Sequence, residues 1–227
     1  MSAPPRKHHM LVTLGPTWES IDPIRFITNR ATGTLGYFVA QEGLRRGHRV
    51  TCIAGPIALP PLPRARWIDV VGAEDMRRAV VSIFPKVDVL VMSAAVSDYR
   101  VKKLFHSKLK RGGKEISLLL EENRDILKEI ARHRKHQILI GFALETERLL
   151  THALRKLHEK NLDLLVANVL DRRNNPFGER QVNASLLWRN GRRRELKRVS
   201  KRKLASVLLD AIEELVLAKG SGDVAKW

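Results

Sequence analysis

The feature that most constrains the fold is an apolar run, Met10–Leu14, that passes into a long polar loop, Gly15–Gly33. A helical pattern then runs from about Thr34 to Arg46, and Gly47 ends it as a left-handed cap. A second apolar strand follows at Arg49–Ala54. Strand, helix and strand in this order, with a short turn, form the unit of a parallel sheet with a right-handed crossover. The start of the chain therefore predicts an α/β fold.

The same alternation continues to the end of the chain. The predicted strands are Trp67–Val71, Val87–Met92, Glu115–Leu120, Gln137–Ala143, Asp163–Val169 and a β-hairpin that begins at Gln181–Trp188 and turns at Asn190-Gly191. The predicted helices are Glu74–Phe84, one capped by Asn123, Glu145–Lys160 and Ser200–Ala218.

Together these elements predict one Rossmann-like three-layer α/β domain with a mainly parallel sheet and helices on both faces. We expect the hairpin to form an arm, and the basic segment Val101–Gly113, which ends in Gly-Gly, to be a mobile flap. The domain is predicted over residues 10–218, between a disordered tail at 1–9 and a flexible tail at 219–227.

Charge and apolar content limit the possible partners. The net charge of +18 admits nucleic acid, phosphorylated metabolites or a merely basic surface. The most basic run, Arg189–Lys203, has no aromatic residue among its charges to stack on bases, so we interpret it mainly as a solvated edge.

The one cysteine, Cys52, lies in an apolar run and is expected to be buried and inert. No apolar run is long enough to span a bilayer and no signal peptide is evident, which predicts a cytoplasmic protein without a membrane partner.

Several common catalytic motifs are missing from the sequence. No GxxxxGK[ST] phosphate loop, no GxSxG elbow and no Cys/His cluster at metal spacing occurs. The segment Ala31–Gly36 imitates a dinucleotide fingerprint, but it lies far beyond the first strand, and Ala54-Gly55-Pro56 offers no acid for a ribose. Hydride transfer with NAD is therefore not expected.

What remains is a set of polar segments at the carboxyl ends of predicted strands, which a parallel sheet gathers along one edge. These are the Gly15 loop, Ser93–Arg100, the Asn123 turn, Gly141–Thr146 and Asn168. Cations stand around them: Lys108, Lys110 and Arg111 on the flap, and Lys156 and Lys160 one turn apart on a helix. The lysine pair is either simply solvated or, with Asp98 as a ligand for Mg²⁺ or a ribose, part of a triphosphate clamp.

Six motifs in one order carry a resemblance. They are GPT-x-E-x-IDPIRFITN-x-x-TG-x-x-G, SAAVSDYR, KLKR, NRDIL, GFALET and KLHEKNLDLLVAN, which together cover about residues 10 to 190. In these motifs the chain resembles the phosphopantothenoylcysteine synthetase family of coenzyme A biosynthesis.

The resemblance implies a homodimeric phosphopantothenate-cysteine ligase that uses Mg²⁺ with CTP or ATP as co-substrate and no flavin. In such a ligase the carboxylate of 4′-phosphopantothenate attacks the α-phosphate of the nucleotide, pyrophosphate leaves, and the cysteine amine then displaces the nucleoside monophosphate. The chain does not contain the flavin-dependent decarboxylase domain often fused to the synthetase, so a separate decarboxylase is expected as a functional partner. A basic nucleic-acid or polyanion binder on an inactive α/β scaffold is the alternative.

The resemblance also assigns residues. It implies catalytic roles for Asn29 and Lys108, and Asp98 as the residue nearest the nucleotide-bound Mg²⁺. The implied phosphopantothenate contacts are Arg25, Asn29, Ala94 and Ala95. The implied nucleotide contacts are Met92, Ser93, Asp98, Lys108, Arg124, Asp125, Ile126, Leu127, Phe142, Lys156 and Lys160.

Five positions depart from the family pattern, among them Thr32, which stands where a serine is usual. Arg124 replaces a turn proline beside the nucleotide base, which bears on base preference, and Leu144 replaces an alanine. Ala31 stands where a serine is usual, and Trp18 where arginine is common.

Overall fold

The computed structural model describes residues 7–112, 115–145, 149–169, 177–178 and 180–220, so residues 1–6 of the tail predicted at 1–9 and residues 221–227 of the tail predicted at 219–227 lie outside it. The strands are β1 His9–Leu14, β2 Trp18–Ser20, β3 Phe26–Thr28, β4 Arg49–Ala54, β5 Arg66–Asp69, β6 Val89–Met92, β7 Tyr99–Val101, β8 Leu120–Glu122, β9 Ile138–Glu145, β10 Leu164–Val169, β11 Val182–Trp188 and β12 Arg193–Val199. The α-helices are α1 Thr34–Arg45, α2 Ala73–Ile83, α3 Ile126–Ala131, α4 Leu149–Glu159 and α5 Lys201–Gly220.

Eight strands form the central sheet, in the order β12-β11-β10-β9-β6-β1-β4-β5. The six strands from β10 to β5 are parallel, and β11 and β12 extend the β10 edge in antiparallel fashion. Numbered along the chain, the parallel strands have the order 3-2-1-4-5-6 of a doubly wound fold. Its topological switch point lies between β1 and β6, where ligands of such sheets bind at the carboxyl edge.

Helices cover both faces of the sheet, which confirms the predicted three layers. On one face α1 and α5 pack on a core that includes Val12, Val91 and Leu208. On the other face α2, α3 and α4 pack on Leu11, Leu90 and other buried side chains. Adjacent residues of the central strands thus enter opposite cores, because side chains alternate along a strand. Fully burying one such aliphatic side chain contributes roughly 1.5–3 kcal/mol relative to leaving it exposed.

Two predicted elements around residue 120 are wrong. The strand predicted at Glu115–Leu120 is limited to β8, which pairs with β7 in a separate ribbon outside the central sheet. An ion pair at 2.8 Å between the Arg100 guanidinium and the Glu121 carboxylate joins the two ribbon strands. The cap of α3 is Asp125, whose side chain accepts from the backbone N–H of Lys128 at 3.0 Å, and not Asn123.

The predicted hairpin exists, but it continues the central sheet and does not form a separate arm. β11 pairs with both β10 and β12, so its backbone hydrogen bonds are satisfied on both sides. β12 is the edge strand and carries most of its charged side chains exposed, which agrees with a solvated basic edge.

Three element ends differ from the prediction because tertiary contacts extend them. β1 begins at His9, whose ring bonds to the Thr51 hydroxyl at 2.9 Å. β9 continues through Glu145 because it pairs with β10 to its end, so Gly141–Glu145 is strand and not turn. α5 continues to Gly220, within the predicted flexible tail.

Among the described helices, none combines the length and apolar character that crossing a membrane requires.

Candidate active site

The long loop after β1 folds into a hairpin that the sequence did not predict. β2 and β3 are three-residue strands paired from Trp18↔Thr28 to Ser20↔Phe26. The hairpin contacts the turn after β6, because the Asn29 side-chain amide donates to the Ala95 carbonyl at 3.0 Å. The Ala95 N–H in turn donates to the Gly15 carbonyl at 2.9 Å. Asn29 is thus held at the switch point between the two central strands.

The first turn of α1 reaches the same point through two glycines. Gly33, at the cap position, has a φ of 73°, a left-handed conformation that costs glycine little. A Cβ on Gly36 would lie 2.7 Å from the Leu14 Cβ, so only glycine lets the helix start this close to β1. The backbone N–H groups at the start of α1 lack partners within the helix, as in all helices, which suits this end to an anion.

A cavity of about 830 Å³ opens at this carboxyl edge of the sheet. Of the residues assigned from the resemblance, the structure brings thirteen to its wall: Asn29, Met92, Ser93, Ala94, Ala95, Asp98, Arg124, Asp125, Ile126, Leu127, Phe142, Lys156 and Lys160. The cavity is also bordered by Ala31 and Leu144, which differ from the family pattern, and by Asn168 at the end of a predicted strand. Segments far apart in sequence thus converge here.

The lysine pair on the α4 side of the cavity is held in place and not merely solvated. The Lys156 ammonium donates to the Phe142 carbonyl at 2.8 Å. The Lys160 ammonium lies 2.9 Å from the Asp125 carboxylate. Burial alone would raise the pKa of Asp125, but the Lys160 hydrogen bond, the Lys128 N–H and the Lys156 charge outweigh it and lower that pKa. Both cations are therefore fixed along one wall.

Lys201 is a cavity residue that the sequence analysis missed. Its side chain is only 7% exposed and borders the cavity from the first turn of α5, beside Leu204 and across from Val182 of β11. The basic run Arg189–Lys203 concealed it among exposed charges. Its helical spacing was the available signal, since Lys201 lies three and seven residues before the buried Leu204 and Leu208 and shares their face.

Asp98 is an exposed carboxylate on the cavity rim. Among the described residues no group of three or more His, Cys, Asp or Glu side chains could hold a metal ion by itself. A rim carboxylate of this kind fits Mg²⁺ only together with phosphate oxygens of a nucleotide, which is the usual way Mg²⁺ is bound.

Arg25 and Lys108 lie outside this cavity. Asp22, whose side chain is buried, forms an ion pair with the Arg25 guanidinium, and the resulting hydrogen bond, stronger than the effect of burial, holds the pKa of Asp22 well below its usual range. Arg25 also donates to the Leu109 carbonyl at 2.9 Å, and the Leu109 N–H donates to Asp22 at 3.1 Å. Asp22 and Arg25 thus each make one hydrogen bond to Leu109, in the segment that carries the exposed Lys108.

We call the β2–β3 hairpin, the β7–β8 ribbon and residues 102–112 the outer ribbon layer. It presents large apolar side chains to solvent: Ile24, Phe26, Tyr99, Leu104 and Leu120. It lies beside the cavity, since Ser97 and Asp98 of the cavity wall lead directly into β7.

Comparison with known proteins agrees with the resemblance that the six motifs carry. Residues 6–216 match the family described as DNA/pantothenate metabolism flavoprotein C-terminal domain. The coenzyme A biosynthesis bifunctional protein CoaBC of Bacillus subtilis (strain 168) is 40% identical over 223 residues, covering 98% of this chain and 54% of that protein. CoaBC of Haemophilus influenzae is 36% identical, covering 89% of this chain and 50% of that protein. The chain therefore spans about half the length of these curated relatives.

Solved structures agree with the sequence relatives. The crystal structure of the C-terminal domain of CoaBC has a TM-score of 0.80 and 33% identity, covering 94% of this chain and 98% of that one. The DNA/pantothenate metabolism flavoprotein from Streptococcus pneumoniae has a TM-score of 0.78 and 25% identity, covering 92% of this chain and 99% of that one.

Proposed function

This chain belongs to the DNA/pantothenate metabolism flavoprotein C-terminal domain family, and from that premise we propose that it is a phosphopantothenate-cysteine ligase of coenzyme A biosynthesis. The observation that carries the proposal is the convergence of Asn29, Ala95, Asp98 and Lys156 on one cavity at the switch point of the sheet. These residues come from three of the motifs through which the chain resembles the synthetases.

The proposed reaction has two steps. A carboxylate oxygen of 4′-phosphopantothenate attacks the α-phosphorus of a nucleoside triphosphate, and pyrophosphate leaves. The cysteine amine then attacks the acyl carbon, loses a proton, and displaces the nucleoside monophosphate to leave an amide. Both steps develop negative charge on oxygens, so they need fixed cations and N–H donors more than a nucleophilic side chain.

The cavity offers such groups in fixed positions. Lys156 and Lys160 place two ammonium groups along the α4 wall, where they suit the triphosphate. The amide of Asn29, held by the Ala95 carbonyl, suits the acyl group that receives the amine. Asp98 suits the Mg²⁺ that accompanies the nucleotide.

Nucleotide preference belongs to the same proposal. CTP or ATP is the expected co-substrate, and Arg124 on the cavity wall stands where the family places a turn proline beside the base. Because nucleoside triphosphates are cytoplasmic metabolites, we propose a cytoplasmic location, which fractionation of cells with an antibody to the chain would test.

We further propose that the chain is a homodimer whose interface includes the outer ribbon layer. Ile24 is 59% and Leu104 51% exposed in this layer, and clustered exposed apolar side chains mark protein interaction surfaces. Light scattering should give a dimer for the unmodified protein and a monomer for Ile24→Asp. Leu217→Asp is the matched control, since Leu217 is 72% exposed on α5. A monomeric unmodified protein would overturn the dimer.

Exchange of labelled pyrophosphate into the nucleotide tests the function most directly. With Mg²⁺ and CTP or ATP, exchange should require 4′-phosphopantothenate but not cysteine, because the acyl nucleotide forms before the amine reacts. Adding cysteine should convert the exchange into net release of pyrophosphate and the amide product. If neither nucleotide supports exchange or product with the folded protein, the ligase proposal is wrong. The polyanion-binding alternative is not favoured, because family membership accounts for the motifs that net charge does not explain.

A further inference from the structure

A second cavity lies at the opposite edge of the central sheet, where the parallel strands begin. It has a volume of about 400 Å³, within the range of small-molecule sites. Arg134 borders it just before β9, Asn161 and Asp163 just before β10, Trp188 at the end of β11, and Lys219 at the end of α5. The proposed ligase reaction uses none of these residues.

The charges around this amino-edge cavity are unbalanced. Arg134, Lys135, Arg189 and Lys219 border it, against the single carboxylate of Asp163. Arg134 and Lys219 both pair with Asp163, Lys219 at 3.4 Å, and the side-chain amide of Asn161 binds Arg189. The end of α5 contributes a partial negative charge of only about half a unit. The cavity therefore keeps a positive excess after its internal pairs are counted.

Lys219 is held among these charges in a largely buried position. Burial is the main cause that lowers its pKa, the Asp163 carboxylate raises it, and the charges of Arg134 and Arg189 lower it by smaller amounts. A cation in such surroundings gains from a further negative charge close by.

The indole N–H of Trp188 supplies the second observation. The Trp188 side chain is 2% exposed and borders the amino-edge cavity. Among the described residues its Nε1 is the one buried side-chain nitrogen or oxygen without a hydrogen-bond partner. A buried donor without an acceptor is destabilising, and such groups in native proteins usually have a function or a missing ligand.

We propose that the amino-edge cavity binds a small phosphorylated ligand, with the phosphate charge facing Arg189 and Lys219 and a phosphate oxygen accepting from the Trp188 indole N–H once the side chains that cover this buried nitrogen have shifted. Leu215 and Ala218 of α5 provide an apolar wall beside the cations. That wall and the cavity volume suit a phosphate monoester with a small organic group better than a bare phosphate ion.

The test uses the full-length protein with ¹⁵N-labelled tryptophan side chains, titrated with inorganic phosphate or phenyl phosphate at constant ionic strength. The Trp188 indole signal is identified by its loss in Trp188→Phe. It should move downfield and saturate, while the signals of Trp18 and Trp67 stay in place, and phenyl phosphate should saturate at lower concentration than inorganic phosphate. Equal affinities would mean that the site takes free phosphate and that the apolar wall contributes nothing.

Three variants decide whether the shift comes from this cavity. Arg189→Gln and Lys219→Gln should each weaken binding about fivefold or more, because each removes one charge-assisted contact. Arg194→Gln, which removes an exposed charge from the same hairpin, should leave the affinity within about twofold. Lys156→Gln, in the carboxyl-edge cavity, should also leave it unchanged. Having two cavity variants keeps the test valid if one of them does not fold.

The proposal is overturned if the Trp188 signal does not saturate, or if its shift survives both cavity variants. It is also overturned if Lys156→Gln abolishes the shift, since the ligand would then occupy the other cavity. Because the readout involves no turnover, failure here leaves the ligase proposal untouched.

Discussion

The wall of the carboxyl-edge cavity and the outer ribbon layer both carry residues of the family motifs. The two regions differ in where these residues lie relative to the cavity and in what holds them. Asn29, Lys156 and Lys160 sit on or beside elements of the central sheet, and each is fixed by a hydrogen bond or an ion pair. Arg25 and Lys108 sit in the outer layer, outside the cavity, and Arg25 binds Asp22 and Leu109. The difference teaches that one chain by itself brings most residues of the proposed nucleotide site to the cavity, whereas Arg25 and Lys108 would reach it only after a movement or from a second chain.

Replacing Asn29 should have the largest effect, because it removes the donor fixed at the switch point. Asn29→Asp places a negative charge beside the reacting carboxylate, and we expect kcat/KM to fall by roughly a hundredfold or more. The measurement is pyrophosphate release at saturating cysteine, with a melting curve to show that the variant is folded. Activity within a fewfold of the unmodified protein would remove Asn29 from the site.

Mixing two inactive variants tests whether Lys108 serves the cavity of its own chain. We expect it to act in the partner's cavity, because the outer layer that carries it also exposes the apolar side chains of the proposed interface. Equal amounts of Asn29→Asp and Lys108→Gln chains, unfolded and refolded together, should then regain about a quarter of the active sites, since half of the dimers are mixed and each has one intact site. No recovery would mean that the segment closes over its own cavity.

Lys201→Gln should have a smaller effect, since it removes one buried cation from the α5 side of the cavity. We expect the nucleotide or phosphopantothenate KM to rise about tenfold with a smaller change in kcat. Lys203→Gln is the matched control, because Lys203 lies in the same helical turn but is exposed. Equal effects of the two variants would mean that only the net charge of α5 matters.

The smallest expected effect is on the acid stability of the outer layer. The pKa of Asp22 is lowered in the folded protein, so its contribution to stability is complete above the unfolded value near 4 and is lost as pH falls through the folded value. Asp22→Asn should therefore lower the Tm by a few degrees at pH 7, and the Tm difference should shrink steadily below about pH 4. A Tm difference independent of pH would show that the Arg25 pair does not contribute to stability.

Much of the fold could be predicted from sequence because the core strands and helices have strong local patterns. Met10–Leu14 and Val87–Met92 are apolar runs bounded by turn residues, and the periodicity of α5 is clear along its length. From these follow the parallel sheet and the edge at which polar segments meet. The order of the six parallel strands needed the structure, because pairing between distant strands leaves no mark on local sequence.

The remaining errors come from interactions between distant residues. The β2–β3 hairpin has only three residues in each strand, too few to show the alternation of apolar and polar residues that marks a strand. The position of Arg25 outside the cavity, paired with Asp22 and bonded to Leu109, depends on how the loop folds onto residues 102–112 and has no mark in the local sequence. Lys201 was hidden by neighbouring charges, since its burial depends on how α5 packs against α1 and the central sheet.

The burial of Cys52 lets thiol-reactive reagents be used without labelling the folded protein. Cys52 is the only cysteine in the chain, it has no exposed surface at the centre of β4, and burial raises the pKa of its thiol to about 12. A thiol-reactive dye added to the native protein would therefore respond to added cysteine, the proposed substrate, and not to the protein. In denaturant without substrate, the slow alkylation of the same sulfur would measure how often the centre of the sheet opens.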